Sequence, residues 1–363
     1  MNLTLKTSLQ KRSNLIITGG IAFFAILLAA VIGGVIIALM GINPGDAYRH
    51  FLAGAFGNVY GFGETINKFT PLLCSALAFS IAMKSGFMNI GAEGQFGAGA
   101  LCAVLVALRM GSVPPGIAIG LTLLVGLVGG AVWASIAGLL RIYFNANELL
   151  TTMMLNYVMQ FLLALLLHGP LKNPESNMEQ TPLIPTTARL PVILDGSRLH
   201  LGVFVAIAAL VLIWFLQSRT TIGFEMRLSG ANEKAALYAG VRQRRALIAV
   251  ILISGALGGL GGSLELMGNQ HKMMEGLTAG FGFDGIGIAV MGQYNPVGIF
   301  LTTLLFAALR TGTASMQRGV GVPTPILFIM QGTVIVTVIT SKYFVDKINS
   351  KVATRRIMHD FIT

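Results

Sequence analysis

The sequence predicts an all-α membrane protein with about ten transmembrane helices, and three observations support that fold class. Of the 363 residues, 54% are hydrophobic and only 11% are charged, whereas a soluble domain carries about 25% charged residues. Apolar runs separated by polar segments recur along the whole chain. Two of these runs flank a polar, glycine-rich stretch at residues 85–95, which predicts discontinuous helices inside the protein.

The first apolar run, Leu15–Met40, follows several basic residues. Because it is too long for the core of a signal peptide, it predicts a retained first transmembrane helix. Residues 43–66 after it mix aromatic, polar and glycine residues, and they predict an interfacial helix with aromatic anchors. We predict a single membrane domain over residues 1–363.

The polar stretch 85–95 lies between two apolar runs that predict short spans, Asn67–Gly86 and Gln95–Arg109. A membrane helix needs about 20 apolar residues. Irregular backbone at membrane depth is tolerated only where protein or a water-filled cavity satisfies its polar groups. We therefore predict two discontinuous helices that meet at a polar junction, where transporters tend to handle substrate.

The later apolar runs predict the remaining spans, which are Pro114–Leu140, Asn145–His168, Leu201–Leu216, Ala246–Met267, Gly276–Met291, Pro296–Met316 and Pro323–Ser341. Residues 169–199 are rich in proline and contain no long apolar run, which predicts a loop outside the membrane. Residues 217–245 form the longest basic segment.

The net charge of +11 is unevenly divided between the two sides of this arrangement. Segments on the side of the N-terminus hold roughly twice as many Lys and Arg residues as those on the opposite side. Cytoplasmic loops carry this excess, so both termini and residues 217–245 are predicted in the cytoplasm, and residues 169–199 are predicted outside. The positive charge therefore anchors the membrane protein and indicates no nucleic-acid partner.

An internal repeat is a further hypothesis. The second to fifth spans begin outside, whereas the seventh to tenth begin inside, and each block contains a short glycine-punctuated segment with an acid. Two such blocks of opposite orientation form the inverted repeat of many transporters.

The sequence contains no catalytic motif that would indicate an enzyme. The dipeptide Gly-Lys never occurs, so the chain has no Walker-A loop for ATP. Cys74 and Cys102 lie in apolar runs without neighbouring ligands, which indicates neither a disulfide framework nor a metal site. We predict a transport protein without a bound cofactor.

Glu93 and Asp284 are the acids most expected to face the interior, because a charge at the bilayer centre costs a few kcal/mol. Glu93 either caps the helix that begins near Gly94 or lines the cavity, and the two roles are compatible. Asn89 and Gln95 can donate and accept hydrogen bonds, as a polar substrate requires.

Asn156 and Gln160 share one face of a predicted helix, where they either line the path or form interhelical hydrogen bonds. Phe283 adjoins Asp284. The predicted substrate path comprises Asn89, Glu93, Gln95, Asn156, Phe283 and Asp284.

Residues 230–240 have glycine at both ends and good helix formers between, which predicts one short cytoplasmic helix. One interpretation is a positive-inside anchor. Because a compact and mildly charged helix is more than anchoring needs, we favour docking on a partner protein. The candidate docking residues are Gly230, Asn232, Ala235, Ala236, Tyr238 and Gly240.

Five segments carry a family pattern in matching order, and they are 87–95 (FMNIGAEGQ), 147–157 (NELLTTMMLNY), 230–240 (GANEKAALYAG), 254–262 (SGALGGLGG) and 283–298 (FDGIGIAVMGQYNPVG). Together they resemble the permease subunits of bacterial ABC importers in the branched-chain amino acid, ribose and nucleoside superfamily. The second segment resembles its nucleoside-type branch, and the third resembles its coupling segment.

The resemblance implies ATP-driven uptake of a small polar solute, with a nucleoside or related purine or pyrimidine compound as the expected cargo. It implies an extracytoplasmic substrate-binding protein, a second permease subunit in a heterodimer, and two ATPase subunits that bind the ATP. It also implies that residues 230–240 couple to an ATPase and that the protein lies in the bacterial inner membrane.

Two other classes of function fit the residues alone. The chain could be a self-contained secondary transporter that uses Glu93 or Asp284 as a proton or sodium site, since both classes lack an ATP site of their own. It could also be a membrane scaffold that transports nothing.

Overall fold

The computed structural model describes Gly20 and residues 24–341, which are mainly helical. The only β-structure in this part of the chain is two isolated bridges. The basic N-terminal residues, the predicted helix start at Leu15 and the basic tail after Ser341 lie outside the described residues. The α-helices in chain order are α1 Phe24–Leu39, α2 Pro44–Phe56, α3 Val59–Lys84, α4 Ala92–Ala107, α5 Pro115–Phe144, α6 Glu148–His168, α7 Gly202–Arg219, α8 Thr221–Ala231, α9 Glu233–Tyr238, α10 Gln243–Glu265, α11 Phe281–Met291, α12 Pro296–Val320 and α13 Pro325–Ser341.

The described helices agree with an all-α membrane protein. Six of them, counting α10 with the π-helical turn Leu266–Gln270 that continues it, are long and apolar enough to cross a bilayer. Four more, α1, α4, α11 and α13, are apolar but shorter. The total matches the predicted number of spans, whereas the side on which the termini lie stays a prediction.

The predicted break between discontinuous helices is present. Helix α3 ends at Lys84, α4 begins at Ala92, and residues 85–91 between them are not helical. With 16 residues, α4 is shorter than a full membrane span, as predicted. The short span predicted before the junction is wrong, because α3 has 26 residues and is long enough to cross a bilayer. Helix α11 has only 11 residues and follows a non-helical approach through residues 276–280.

Two predicted helix boundaries are wrong. The interfacial helix expected over residues 43–66 ends at Phe56, and α3 begins at Val59, because the Asn58 side chain accepts a hydrogen bond from Gly61 N (2.6 Å) and caps the new helix. The segment 230–240 is likewise not one helix. Gly230 belongs to α8, and α9 begins only after a break at Asn232.

Residues 55–311 form a compact unit in which α3 is the most enclosed long helix. In its most apolar window 83% of the residues are buried, against 22% for α6. Helices α4, α5 and α10 pack through glycine backbones. A Cβ added to Gly99 would lie 2.3 Å from Gly259 Cα, and one added to Gly130 would lie 2.6 Å from the same atom. Only glycine permits this three-helix approach.

A second unit contains the described residues 24–54 and 312–341. Within it, the Tyr48 hydroxyl donates to Ala30 O, and a Cβ on Gly33 would lie 3.1 Å from that hydroxyl and 3.3 Å from Met330 Cγ. Contacts between α1, α2 and α13 thus hold this unit together.

The helix lengths show a recurring order. Helices α3 to α6 have 26, 16, 30 and 21 residues, and α10 to α12 have 23, 11 and 25. The second helix of each block is the short one. This order agrees with an internal repeat, while the inverted orientation of the blocks stays a prediction.

Candidate functional site

Two buried amides close the junction between α3 and α4. Asn89 Nδ2 donates to Gln95 Oε1 (3.1 Å), and Gln95 Nε2 donates back to Asn89 Oδ1 (2.9 Å). Asn89 Nδ2 also donates to Ser254 Oγ (2.7 Å), whose hydroxyl donates to Ala78 O (2.7 Å). Because both amides are buried and bond to the protein, Asn89 and Gln95 lie in the frame of the junction and do not face the cavity described below.

Helix α6 satisfies the irregular backbone of the same junction. Asn156 Oδ1 accepts from Gly94 N (2.8 Å), and Asn156 Nδ2 donates to Ile90 O (3.0 Å). Thr152 Oγ1 accepts from Ile90 N at 3.3 Å. Asn156 therefore forms the interhelical hydrogen bonds that the sequence left as one of its two roles, and Thr152 adds a contact that the sequence analysis missed.

Glu93 caps a helix, but not its own. Its Oε1 accepts from Gly280 N (3.0 Å) and its Oε2 accepts from Gly282 N (2.7 Å), at the N-terminus of α11. A carboxylate is favourable there because the helix end carries free N–H groups and a partial positive charge. Glu93 also borders the cavity, so the two roles expected for it occur together.

Asp284 pairs with Arg310 of α12. Arg310 Nε lies 2.7 Å from Asp284 Oδ2, and the two side chains are only 10% and 11% exposed. Arg310 Nη2 also donates to Ala279 O (2.9 Å), and its guanidinium lies 4.5 Å from the centre of the Phe281 ring. Arg310 was not among the predicted site residues, although a lone arginine in an apolar run is itself a signal for a buried acidic partner.

A cavity of about 430 Å³ opens between α6 and the segment before α11. Its lining includes Glu93, Asn156 and Phe283 from the predicted path, and Tyr157, Gln160 and Glu275 besides. Phenol, amide and carboxylate groups here can exchange hydrogen bonds with a polar solute, and the exposed Phe283 ring offers an apolar face. The structure thus brings three predicted path residues to one cavity.

The segment expected to couple to a partner exposes an aromatic residue. Asn232 caps α9 by accepting from Ala235 N (3.0 Å). Ala236 is fully buried against Leu228, Val241 and Ala246, whereas Tyr238 is 90% exposed. The predicted docking residues therefore do not all face the same way. Ala236 packs against the protein, and Tyr238 faces away from it.

Gly230 connects this segment to the junction. A Cβ added to Gly230 would lie 2.2 Å from Lys84 O and 2.8 Å from Gly86 N. No side chain larger than glycine fits there without moving one backbone. The α8 backbone thus contacts the chain where α3 ends and the polar junction begins.

A buried histidine lies beside the turn that ends α10. His200 Nδ1 accepts from Gly202 N (3.1 Å), and a Cβ on Gly268 would lie 2.2 Å from His200 Nε2. Burial lowers the pKa of His200 to about 4, with Glu265 opposing and His271 reinforcing that shift. His200 is therefore neutral at physiological pH.

Comparison with known proteins identifies a family of membrane transport components. The family model described as the permease component of branched-chain amino acid transport systems matches residues 61–339. The chain is 33% identical to the glucose ABC transporter permease protein TsgB13 of Haloferax volcanii, over 90% of this chain and 88% of the relative. No solved structure matches the chain.

Two further relatives are named for nucleosides. The chain is 33% identical to the nucleoside ABC transporter permease protein NupB of Lactococcus lactis, over 87% of this chain and 89% of the relative. It is also 33% identical to the guanosine ABC transporter permease protein NupP of Bacillus subtilis, over 91% and 97%. The same two bacteria have second similar permeases, NupC (26% identity, 77% and 90% covered) and NupQ (28%, 65% and 76%).

Proposed function

The chain belongs to the permease component family of branched-chain amino acid transport systems, and we propose on that basis that it is the membrane-spanning subunit of an ATP-driven nucleoside importer. Its relatives are permease components of ABC transporters, so it is a transport component and not an enzyme. The alternative of a self-contained, ion-coupled transporter is set aside for the same reason.

Nucleosides are the proposed cargo because two of the relatives at 33% identity carry that name. The cavity supports this choice. The Phe283 ring and the Tyr157 phenol offer faces on which a nucleobase can stack, and Gln160 and Glu275 offer amide and carboxylate groups to ribose hydroxyls. Glucose is the second candidate, since the Haloferax volcanii relative is named for it.

In this proposal the junction is a frame for the translocation path. Asn89, Gln95 and Asn156 hold residues 85–91 in their irregular conformation, and Glu93 and Asp284 hold the approach to α11. Phe283, with Glu93 and Asn156, borders the space through which the solute passes. The frame residues act on transport by positioning, and the cavity residues by contact.

The exposed face of α9 is the proposed contact with an ATPase subunit. The docking residues are Ala235 and Tyr238, and Asn232, Ala236 and Gly240 shape the helix that presents them. Gly230 transmits a displacement of this segment to the junction, because it lies directly against Lys84 and Gly86. Nucleotide-driven closure of the ATPases would thereby change access to the cavity.

The assembly proposed is a pair of permeases with two ATPases and an extracytoplasmic binding protein, in a bacterial inner membrane with both termini cytoplasmic. The paired names NupB with NupC and NupP with NupQ support a second, different permease subunit. ATP is bound by the partners, and this chain carries no cofactor.

Uptake in membrane vesicles tests the proposal. The chain is produced with the permease, ATPase and binding-protein genes that neighbour its own gene, and entry of labelled guanosine and glucose is compared. We expect ATP-dependent guanosine uptake that survives collapse of the proton gradient. Uptake that needs the gradient and not ATP would overturn the importer assignment, and uptake of glucose alone would overturn the cargo.

A further inference from the structure

Three metal-ligating side chains meet at the end of α6, apart from the frame around the junction. His168, Glu179 and Glu275 each offer one ligand atom, and these atoms lie within 4.8 Å of one another. We propose that the three residues bind a divalent transition-metal ion, with Zn²⁺ as the ion that fits one imidazole and two carboxylates. This site does not depend on the transported solute.

His168 is oriented as a metal ligand. Its Nδ1 lies 2.8 Å from Ala164 O. Because a carbonyl oxygen can only accept, Nδ1 donates to it, and Nε2 is the ring nitrogen left to bind a metal ion. Metal-bound histidines almost always donate their second ring N–H to a carbonyl or carboxylate in this way, which fixes the tautomer and the ring orientation.

The free nitrogen of His168 faces an acceptor. His168 Nε2 lies 2.7 Å from Glu179 Oε1. Zn²⁺ binding requires these two ligand atoms to move apart from 2.7 Å, and both side chains are exposed enough to do so.

The second carboxylate faces the first across a short β-bridge. Gln180 and Met274 form an isolated antiparallel bridge, which sets Glu179 opposite Glu275. Like charges directly opposite each other are destabilising. In the described part of the chain, neither carboxylate forms an ion pair with a lysine or arginine. A divalent cation would neutralise both.

The distances suit a small cation. Zn²⁺ binds nitrogen and oxygen at about 2.0–2.2 Å, so its tetrahedral ligands lie about 3.4 Å apart. The side chains of His168 and Glu179 are 53% and 39% exposed and can rotate into that arrangement. Three protein ligands leave the fourth position to water. Glu275 also lines the cavity, so the bound ion would join the end of α6 to the cavity wall.

Calorimetry with Zn²⁺ alone tests the site. The full chain is purified in lipid nanodiscs through a tag without histidine and stripped with a chelator. We expect Zn²⁺ binding that His168→Gln and Glu275→Gln each weaken by at least about tenfold. Glu175→Gln, an exposed acid of the same loop, is the matched control and should bind as wild type. Equal Zn²⁺ affinity in all these proteins, or no Zn²⁺ binding by the wild type, would overturn the proposal.

A measurement on the unmutated chain removes any dependence on variants that fold poorly. Histidine-selective acylation followed by mass spectrometry should show that Zn²⁺ protects His168 and leaves the exposed His50 reactive. Acylation of His168 at the same rate with and without Zn²⁺ would overturn the site.

Discussion

Gly230 of α8 and Gly86 of the junction touch backbone to backbone. A Cβ on Gly86 would lie 3.2 Å from Gly230 Cα, and Gly86 has a φ of +79°, which favours glycine. A partner that pushes on the segment 230–240 therefore pushes on the polar junction with no flexible side chain between them. Coupling in this protein is expected to depend on that contact.

Gly230→Ala should disturb coupling and stability together. The new methyl group would meet Lys84 O at 2.2 Å, so α8 must move, and overpacking of this kind costs about 1–3 kcal/mol. We expect a lower melting temperature and at least about a fivefold loss of uptake per ATP hydrolysed in vesicles. Gly120→Ala on α5, where no atom lies within 4 Å of the added Cβ, is the matched control and should lower neither value. Normal coupling by Gly230→Ala would contradict the role of the contact.

Substitutions at Tyr238 and Ala236 should distinguish an effect on docking from an effect on stability. Tyr238→Ala removes an exposed ring and should lower ATP-driven uptake while the melting temperature stays as in wild type. Ala236→Glu places a charge in a fully buried position and should lower the melting temperature of the protein. Uptake and thermal melting are measured on both variants. If Tyr238→Ala transports normally with its partners present, α9 is not the ATPase contact.

The pair Asp284–Arg310 should behave as one unit. Removing one member of a buried ion pair costs about 3–5 kcal/mol, whereas replacing both with apolar residues is often close to neutral. Arg310→Met and Asp284→Leu should therefore each lower thermal stability more than the double variant does, as a double-mutant cycle in detergent would show. Additive losses would mean that the 2.7 Å contact contributes nothing of its own.

His200 predicts a loss of stability in acid. Burial sets its folded pKa at about 4, below the ordinary value of 6.5, so the unfolded chain binds the proton first as the pH falls. The contribution of His200 to the free energy of unfolding is complete above pH 6.5 and is lost as the pH drops toward 4. This loss amounts to about 3 kcal/mol. Melting temperatures across this range should fall less in His200→Gln than in wild type. An equal slope in His200→Gln and in wild type would refute the assignment.

The polar junction could be predicted from the sequence because its signal is local. Residues 85–95 combine glycines, amides and an acid between apolar runs too short to span a bilayer, and that pattern requires a break wherever the helices pack. The family resemblance rested on the same kind of contiguous signal. The structure contains the predicted break, although the run before it belongs to the 26-residue α3, and the family model agrees with the resemblance.

The partners of the polar groups could not be predicted. The pairing of Asn89 with Gln95 joins the junction to α4, and that of Asp284 with Arg310 joins α11 to α12. Both depend on how the helices pack, which helical periodicity does not show. The break at Asn232 was missed for another reason. An asparagine between helix formers is neutral in a helix but strongly favoured as a cap, and the local sequence does not decide between the two.

The Glu93 carboxylate has a mechanical consequence. It lies in the first turn of α4 and accepts hydrogen bonds from the N–H groups at the start of α11, so it links the two short helices. A motion that tilts one of these helices must either tilt the other as well or break both hydrogen bonds of Glu93. We therefore expect α4 and α11 to move together as one rigid body during each transport cycle.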